Sequence, residues 1–486
     1  MMNRIHARAA LATGLALAAA PAGAANWLVL NSAEAPEGAP NMSVFGFFQP
    51  TYRNIDDSDK PDLSGTGKAG TPADGNRPIF NTLSPDRSSS QGFTVARARL
   101  GVRGALNNTD EDIHYFFLTE WGNSGINRLA DAGSDSAAPQ LTDASVTFRH
   151  LAGGGSDDIW EPGVSLRIGQ FQWPLVDEGL RAIPAYDYIS FSEVSRQQVL
   201  ERYVRQNLAE SGGPGTDESL TGFDGAISSY RDIGAMAFDE FRITEHWEGT
   251  WVAGLGNGNG INRSDNDDNL DLYLRAQTAY VFDGVQRGTP RREDLKLFAW
   301  SQQGDRVFDA DGNGTLDSGE EFERNRHGLG FHFYRQPWRL SGEYVFGNGM
   351  VYNGTTPPTS DPSSEFQDLG DVTPQMAWDG ENEFDGWYLD AAWFVQPNKL
   401  ALQARYDVLN RLNETDGANF TKADERVFET WTLGLQYWVH PIKSQWTLSY
   451  RIRDLEAPHN PVADEIGSTM GNEIAIQYFH LFNAGG

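Results

Sequence analysis

The sequence predicts an all-β fold, a transmembrane antiparallel β-barrel of about 16 strands with long extracellular loops. Three observations predict it. The first is the stretch 91–103, QGFTVARARLGVR. Read at period two, it sets Phe93, Val95, Arg97, Arg99, Gly101 and Arg103 on one face and Thr94, Ala96, Ala98, Leu100 and Val102 on the other. Arginines opposite small apolar residues suit a wall between a wet lumen and lipid better than one face of a soluble sandwich. The second is that the connections between strand-like segments are alternately short and long, as periplasmic turns and outer loops are. The third is an export signal with no membrane-spanning helix behind it. Arg4 and Arg8 precede an apolar run at 9–20, and Ala22-Gly23-Ala24 offers a cleavage site after Ala24 or Ala25. No later run reaches the roughly 20 apolar residues that a transmembrane helix needs.

The chain divides accordingly into a signal peptide at 1–24, a periplasmic extension at 25–41 and a barrel at 42–486. The first strand is expected at 42–53, and the Gly-, Pro- and Ser-rich piece 56–90 is a long loop. Strand two is the stretch already described. Strand three, 112–122, places Ile113, Tyr115, Phe117 and Trp121 opposite His114 and Glu120. Strand four, 140–151, sets Asp143, Ser145, Thr147 and Arg149 against Ala144, Val146 and Phe148; strand five, 163–173, sets Ser165, Arg167 and Gly169 against Val164, Leu166 and Ile168. The longest irregular piece, 174–229, follows, and a loop of that length in a compact protein is usually functional. Further strands are expected at 230–244, 247–257, 269–282, 294–303, 326–335, 338–347, 385–395, 399–410, 428–439, 445–454 and 471–482. Trp121, Trp173, Trp247, Trp338, Trp387, Trp393, Tyr437 and Tyr450 fall near strand ends, where interfacial girdles form.

Composition narrows the function classes. A net charge of -29 argues against nucleic acid as a partner, because that needs a basic footprint. With 0 cysteines there are no disulfides, no thiolate metal sites and no covalently attached c-type haem. Neither haem nor a nucleotide is expected. Of 38 basic residues only Lys60, Lys68, Lys296, Lys399, Lys422 and Lys443 are lysines, and arginine is the better planar partner for oxyanions and for buried carboxylates.

The segments FTVARARLGVRG (93–104), SLRIGQFQWPL (165–175), VAGLGNGNG (252–260) and LALQARYDVLN (400–410) together resemble the phosphate-selective porin O/P family. The resemblance runs over residues 42–482. It implies a homotrimer of 16-stranded barrels in the bacterial outer membrane, a third loop (174–229) folded inward as the constriction, and basic side chains along an anion path. Two features depart from the family's pattern. Lys296 is the one clear lysine on the expected lumen face, and Asn483-Ala484-Gly485-Gly486 follow the terminal aromatic strand.

Alternation selects Arg97, Arg99, Arg103, Arg149, Arg167, Arg275, Arg339, Arg405, Arg451 and Arg453 as pore-lining residues. Glu120, Asp143, Glu248, Asp271, Glu343, Asp390, Asp407 and Glu473 share that face, so a neutralised lattice of wall ion pairs is the second reading. The third loop adds Arg181, Arg196, Arg202 and Arg205 beside Asp177, Glu178, Asp187, Glu193 and Glu201, which leaves its sign undecided. Residues 309–320, DADGNGTLDSGE, match the EF-hand calcium loop. Asp309, Asp311, Asn313, the Thr315 carbonyl, Asp317 and a bidentate Glu320 stand at the ligand positions, and Gly314 stands at the sharp turn. The expected cofactor is therefore Ca2+ in an extracellular loop. The 9 histidines form no catalytic constellation, and His114, His332 and His480 read as wall or interface residues rather than general bases. The expectation is a passive diffusion channel for small hydrophilic solutes, and the resemblance implies a preference for anions such as phosphate. The alternatives are a barrel that scaffolds a partner complex, and a non-selective or cation-favouring channel. A barrel enzyme would need a clustered nucleophile and base, and a secreted calcium-binding β-protein would stay soluble without detergent.

Overall fold

A computed structural model describes residues 24–25, 27–31, 42–56, 91–107, 110–122, 139–153, 162–181, 186–200, 203–206, 223–265, 267–285, 291–310, 317, 319–355, 374–378, 382–415, 421–441, 443–461, 463–464 and 471–484. Among them, 16 strands close into one antiparallel barrel. These are β1 (Met42–Ile55), β2 (Gln91–Asn107), β3 (Asp110–Glu120), β4 (Gln140–Gly153), β5 (Gly163–Gln172), β6 (Arg231–Arg242), β7 (Trp247–Gly256) and β8 (Asp271–Val281). The second half comprises β9 (Asp294–Gln303), β10 (Glu321–Arg335), β11 (Trp338–Gly349), β12 (Glu383–Gln396), β13 (Leu400–Arg411), β14 (Arg426–His440), β15 (Ser444–Glu456) and β16 (Glu473–Ala484). Each strand pairs with its chain neighbour, and β1 pairs with β16, for example Phe47 with Leu481, so no edge is left open. Among the described residues no helix is long and apolar enough to cross a membrane.

The alternation read from sequence sorts the two faces. Leu100, Phe117, Ile168, Leu255, Leu274, Leu297, Leu329, Leu389, Leu402, Trp431, Leu433 and Ile452 are exposed outward. Their neighbours in sequence, such as Asp390, Gln403, Thr430, Thr432 and Arg451, are buried inward. An apolar belt around a polar interior is the arrangement a barrel needs in lipid. Seven of the eight expected girdle aromatics are exposed, among them Trp338 and Trp393, whose rings stack 5.9 Å apart. Trp173 is the exception. It is fully buried inside the barrel and lies parallel to Tyr273, with centroids 4.0 Å apart.

One face assignment on β2 differs from simple alternation. Gln49 of β1 pairs with Arg97 and the adjacent Pro50 with Val95, so Ala96 is an extra residue. This bulge reverses the phase. Arg97, Arg99 and Arg103 point inward, while Phe93 and Val95, on the same face by naive count, are 85% and 47% exposed. Pro50, which has no N–H for the ladder, sits opposite the bulge.

Ahead of the barrel, Ala24–Ala25 pairs antiparallel with Arg291–Arg292 in the turn between β8 and β9. A short helix, Trp27–Leu30, follows. Trp27 and Leu28 are buried in the interior apolar cluster with Phe171, Met236, Phe238 and Phe298. The segment expected as a periplasmic extension thus begins inside the barrel wall. Of the expected signal peptide at 1–24, residues 1–23 lie outside the described residues.

Candidate functional site

The interior is organised by the third loop. Its described parts, 173–181, 186–200 and 223–230, are buried almost throughout, in a loop that crosses the lumen to the far wall. Loop acids meet wall arginines there. At the first turn of a short helix (Asp177–Leu180), the Asp177 N–H donates to Glu343 at 2.9 Å, and its carboxylate lies 3.2 Å from Arg181, 3.6 Å from Arg275 and 3.8 Å from Lys296. Arg181 continues to Asp390 at 3.4 Å and to Ser341 at 2.5 Å. Glu178 accepts hydrogen bonds from Ser192 and, at 3.0 Å, from the Tyr186 hydroxyl, and sits 3.4 Å from Arg405. Arg339 pairs with Asp187. Glu193 pairs with Arg196 and with Arg451 (2.5 Å), while its own N–H donates to Asp407 at 2.7 Å. Farther along, Arg326 donates to the Gln198 carbonyl at 2.9 Å and Arg411 to the Gln197 side chain at 3.0 Å.

Burial alone would raise the Asp177 carboxyl. Lys296, Arg181, His332 and Arg275 outweigh that and hold it well below the usual carboxylate range. Glu193 behaves likewise: burial opposes its charge, and Arg196 and Arg451 overcome it. Burial would lower Arg181, but Asp390, Tyr388 and Asp177 push it well above its ordinary value. The loop is therefore held as a charged partner of the wall.

These contacts divide the expected pore-lining arginines. Arg167, Arg275, Arg339, Arg405 and Arg451 retain 1–2% of their surface, and Arg453 retains 6%. Arg167 donates to Thr147 at 3.0 Å and to the Asn31 carbonyl at 2.8 Å. Arg275 donates to the Leu175 carbonyl at 2.8 Å, and Arg453 to the Gly471 carbonyl at 2.9 Å. Arg97, Arg99, Arg103 and Arg149, all on β2 and β4, keep partial exposure, as does Arg53 of β1. Arg97 donates to Gln49 at 3.0 Å, and Gln49 donates to Gln477 at 2.9 Å. Arg99 pairs with Glu120 at 2.6 Å, and Arg53 with Glu473 at 3.1 Å. Arg149 approaches the His150 ring at 3.2 Å.

The same wall carries apolar residues that alternation assigns inward but that sequence reading passed over. Phe47, Phe116 and Leu118 are buried on the inner face, and Phe45 lies 5.8 Å from Phe116, ring to ring. Further inward arginines were also missed. Arg231, Arg324, Arg326, Arg411 and Arg426 are all buried, and Arg324 joins Arg306 on Asp271 at 2.7 and 2.6 Å. Extending the period-two count a few residues past the expected strand ends would have found most of them.

Three of the six calcium-type ligand positions are described. Asp309 is fully buried, Asp317 is exposed, and Glu320 accepts the Ala310 N–H at 2.8 Å and the Asp317 N–H at 2.5 Å. Asp311, Asn313 and Thr315 lie outside the described residues. Among the described residues no group of three or more His, Asp or Glu side chains is arranged to hold a metal ion. His114 and His332 are buried on the inner wall, and Ser444 lies 2.7 Å from the His480 ring.

No protein-family model matches this chain, and no curated protein matches it. Among solved structures, it is similar to the outer membrane channel DcaP of Acinetobacter baumannii, at 11% identity over 92% of this chain and 99% of that one, with a TM-score of 0.48. It is similar to an anion-selective porin from Comamonas acidovorans at 12% identity, covering 91% and 99%, TM-score 0.45. It is also similar to Salmonella typhi OmpF, determined in complex with daunomycin, at 12% identity, covering 91% and 97%, TM-score 0.48. The closed barrel with its lipid-facing belt is the fold that spans the outer membrane of Gram-negative bacteria.

Proposed function

We propose that the protein is an outer-membrane diffusion channel for small hydrophilic solutes, that it favours anions, phosphate among them, and that its permeation path is eccentric. The path runs between the third loop and the wall formed by β1 to β4. One observation carries this reading. The loop is tied by ion pairs to the wall from β8 to β15, and partly exposed inward arginines line β1, β2 and β4 at Arg53, Arg97, Arg99, Arg103 and Arg149; the loop reaches this side too, through the Arg53 hydrogen bond to Ser190 at 3.2 Å and Phe191 beside Arg97. Guanidinium groups that keep part of their solvent contact at a narrowing replace part of an oxyanion's hydration without holding it tightly, which is what conduction requires. The buried set serves as the fixed lattice that the sequence admitted as its second reading, and it sets the position of the loop.

Planar-bilayer recording of the purified barrel in a potassium chloride gradient tests this. A reversal potential on the anion side is expected, and it moves toward zero in Arg97→Gln and Arg103→Gln. A clear cation preference removes the anion reading. A barrel that conducts nothing while co-purifying with a periplasmic partner favours the scaffold.

We also propose that the loop 309–320 takes a calcium ion. The spacing of the ligand types supports it. The Glu320 carboxylate accepts the Ala310 and Asp317 N–H groups, which places it between the two ends of the loop; binding the ion would exchange these contacts for the metal. Calcium there stiffens an outer loop and plays no part in permeation.

A further inference from the structure

We propose that the preferred cargo of this path is an organic carboxylate with an apolar body, of the benzoate class, rather than a bare inorganic anion. This deepens the channel reading and rests on it. The partly exposed arginines of β2 do not stand alone. The Arg97 guanidinium lies 5.8 Å from the ring of Phe191 on the third loop, Arg99 lies 5.7 Å from Phe47, and Arg103 lies 5.2 Å from Phe45. Phe45 continues to Phe116 at 5.8 Å and Phe47 to Phe479 at 5.6 Å, so the phenyl rings form a strip down the inner wall beside the arginines.

Phe47, Phe116 and Phe479 are buried, but Phe45 and Phe191 keep part of their surface exposed, and apolar surface left wet gives up favourable burial at about 25 cal/mol per Å². A channel for phosphate gains nothing from it, because phosphate has no apolar surface to place there. An aryl or alkyl carboxylate uses both parts of each rung. Its carboxylate takes the guanidinium N–H groups, and its body lies against the ring. Rungs at Arg97, Arg99 and Arg103 are two and four residues apart, roughly 7 and 13 Å along the strand. A benzoate-sized molecule matches the shorter interval and releases Arg97 as it reaches Arg99, and the longer step to Arg103 is taken along the rings of Phe47 and Phe45. Several weak sites in series pass a solute, whereas one strong site traps it.

The test is the permeability of benzoate and of phosphate, each relative to chloride, from reversal potentials under bi-ionic conditions with the full-length barrel. Benzoate is expected to permeate several-fold better than phosphate. Phe45→Ser should lower relative benzoate permeability at least five-fold more than relative phosphate permeability. Phe45→Leu, which keeps an apolar surface, should retain most of the benzoate preference. Arg103→Gln should lower both anions. Heat-modifiable migration on gels reports that each variant has closed its barrel. If Phe45→Ser shifts benzoate and phosphate by the same factor, the rings are wall packing only. That outcome overturns this inference, while anion-selective conductance keeps the channel reading. A barrel that passes no ion overturns both.

Discussion

Glu193 of the third loop and Arg451 of β15 meet 2.5 Å apart, each with 1% of its side chain exposed, although 258 residues separate them in the chain. The contact joins the loop to the wall at depth, and Arg196, Gln197 and Asp407 complete it from both sides. Removing one member of such a buried pair strands the other, at a cost of roughly 3–5 kcal/mol. Glu193→Ala is therefore expected to release the loop while the barrel stays closed. Single-channel recording should show larger and noisier openings, and limited proteolysis should cut within 186–200. Unchanged conductance and protection would show that the loop is held by other means.

The same network gives a pH dependence with a defined sign. The carboxyls of Asp177 and Glu193 are held below their ordinary values by the surrounding cations. A depressed folded value adds stability that is fully present above the unfolded value, near ~4, and is lost as pH falls through the folded value. The hold that these two carboxylates give the loop should therefore persist from neutral pH down to about 5 and be lost only well below the usual carboxylate range, which limited proteolysis within 186–200 as a function of pH reads. Cleavage of the parent chain there already at about pH 5 would contradict the assignment.

The N-terminal segment makes a third case. Trp27 and Leu28 retain 2% and 1% of their surface inside the barrel, and Arg167 donates to the Asn31 carbonyl at 2.8 Å. A chain cleaved after Ala24 or Ala25 keeps all three residues. Deleting 26–31 should widen the lumen and raise single-channel conductance, and Trp27→Ala should do so in part. Conductance equal to that of the parent chain would show that the segment lies off the permeation path.

For the outer loop, calcium should raise the thermal stability of the detergent-solubilised barrel and bind with a stoichiometry of one per chain. Glu320→Gln removes the bidentate ligand and should abolish both effects without altering conductance. Terbium luminescence sensitised from nearby aromatics gives a second readout. Equal binding by the parent and the variant would contradict the site.

How far these features could be read from the chain follows from physics that differs by region. Within the bilayer, period two is enforced by lipid on one side and water on the other. All sixteen strands were legible there, and Asp294–Gln303 was placed to the residue. Beyond the membrane both faces are wet. Glu321, Glu323 and Asn325 point away from the lumen on the outer part of β10, the hydropathy contrast vanishes, and Arg324 was missed beside them. The bulge at Ala96 was hidden because small residues continue the pattern in either phase; Pro50 on the facing strand was the available signal. The types of charge on the third loop were legible, but their partners were not. Glu178–Arg405 and Glu193–Arg451 join residues more than 200 positions apart, and alternation carries no information across that distance.

Because the chain has 0 cysteines, single cysteines can report directly which side of the third loop is the path. Arg103 faces the partly exposed side, and Thr432 is fully buried on the inner wall of β14. The decisive measurement is the current through Arg103→Cys and Thr432→Cys barrels before and after a negatively charged methanethiosulfonate reagent. An eccentric path along β1 to β4 predicts a rapid, lasting loss of current in Arg103→Cys and none in Thr432→Cys. Block through Thr432→Cys with Arg103→Cys unaffected would contradict it.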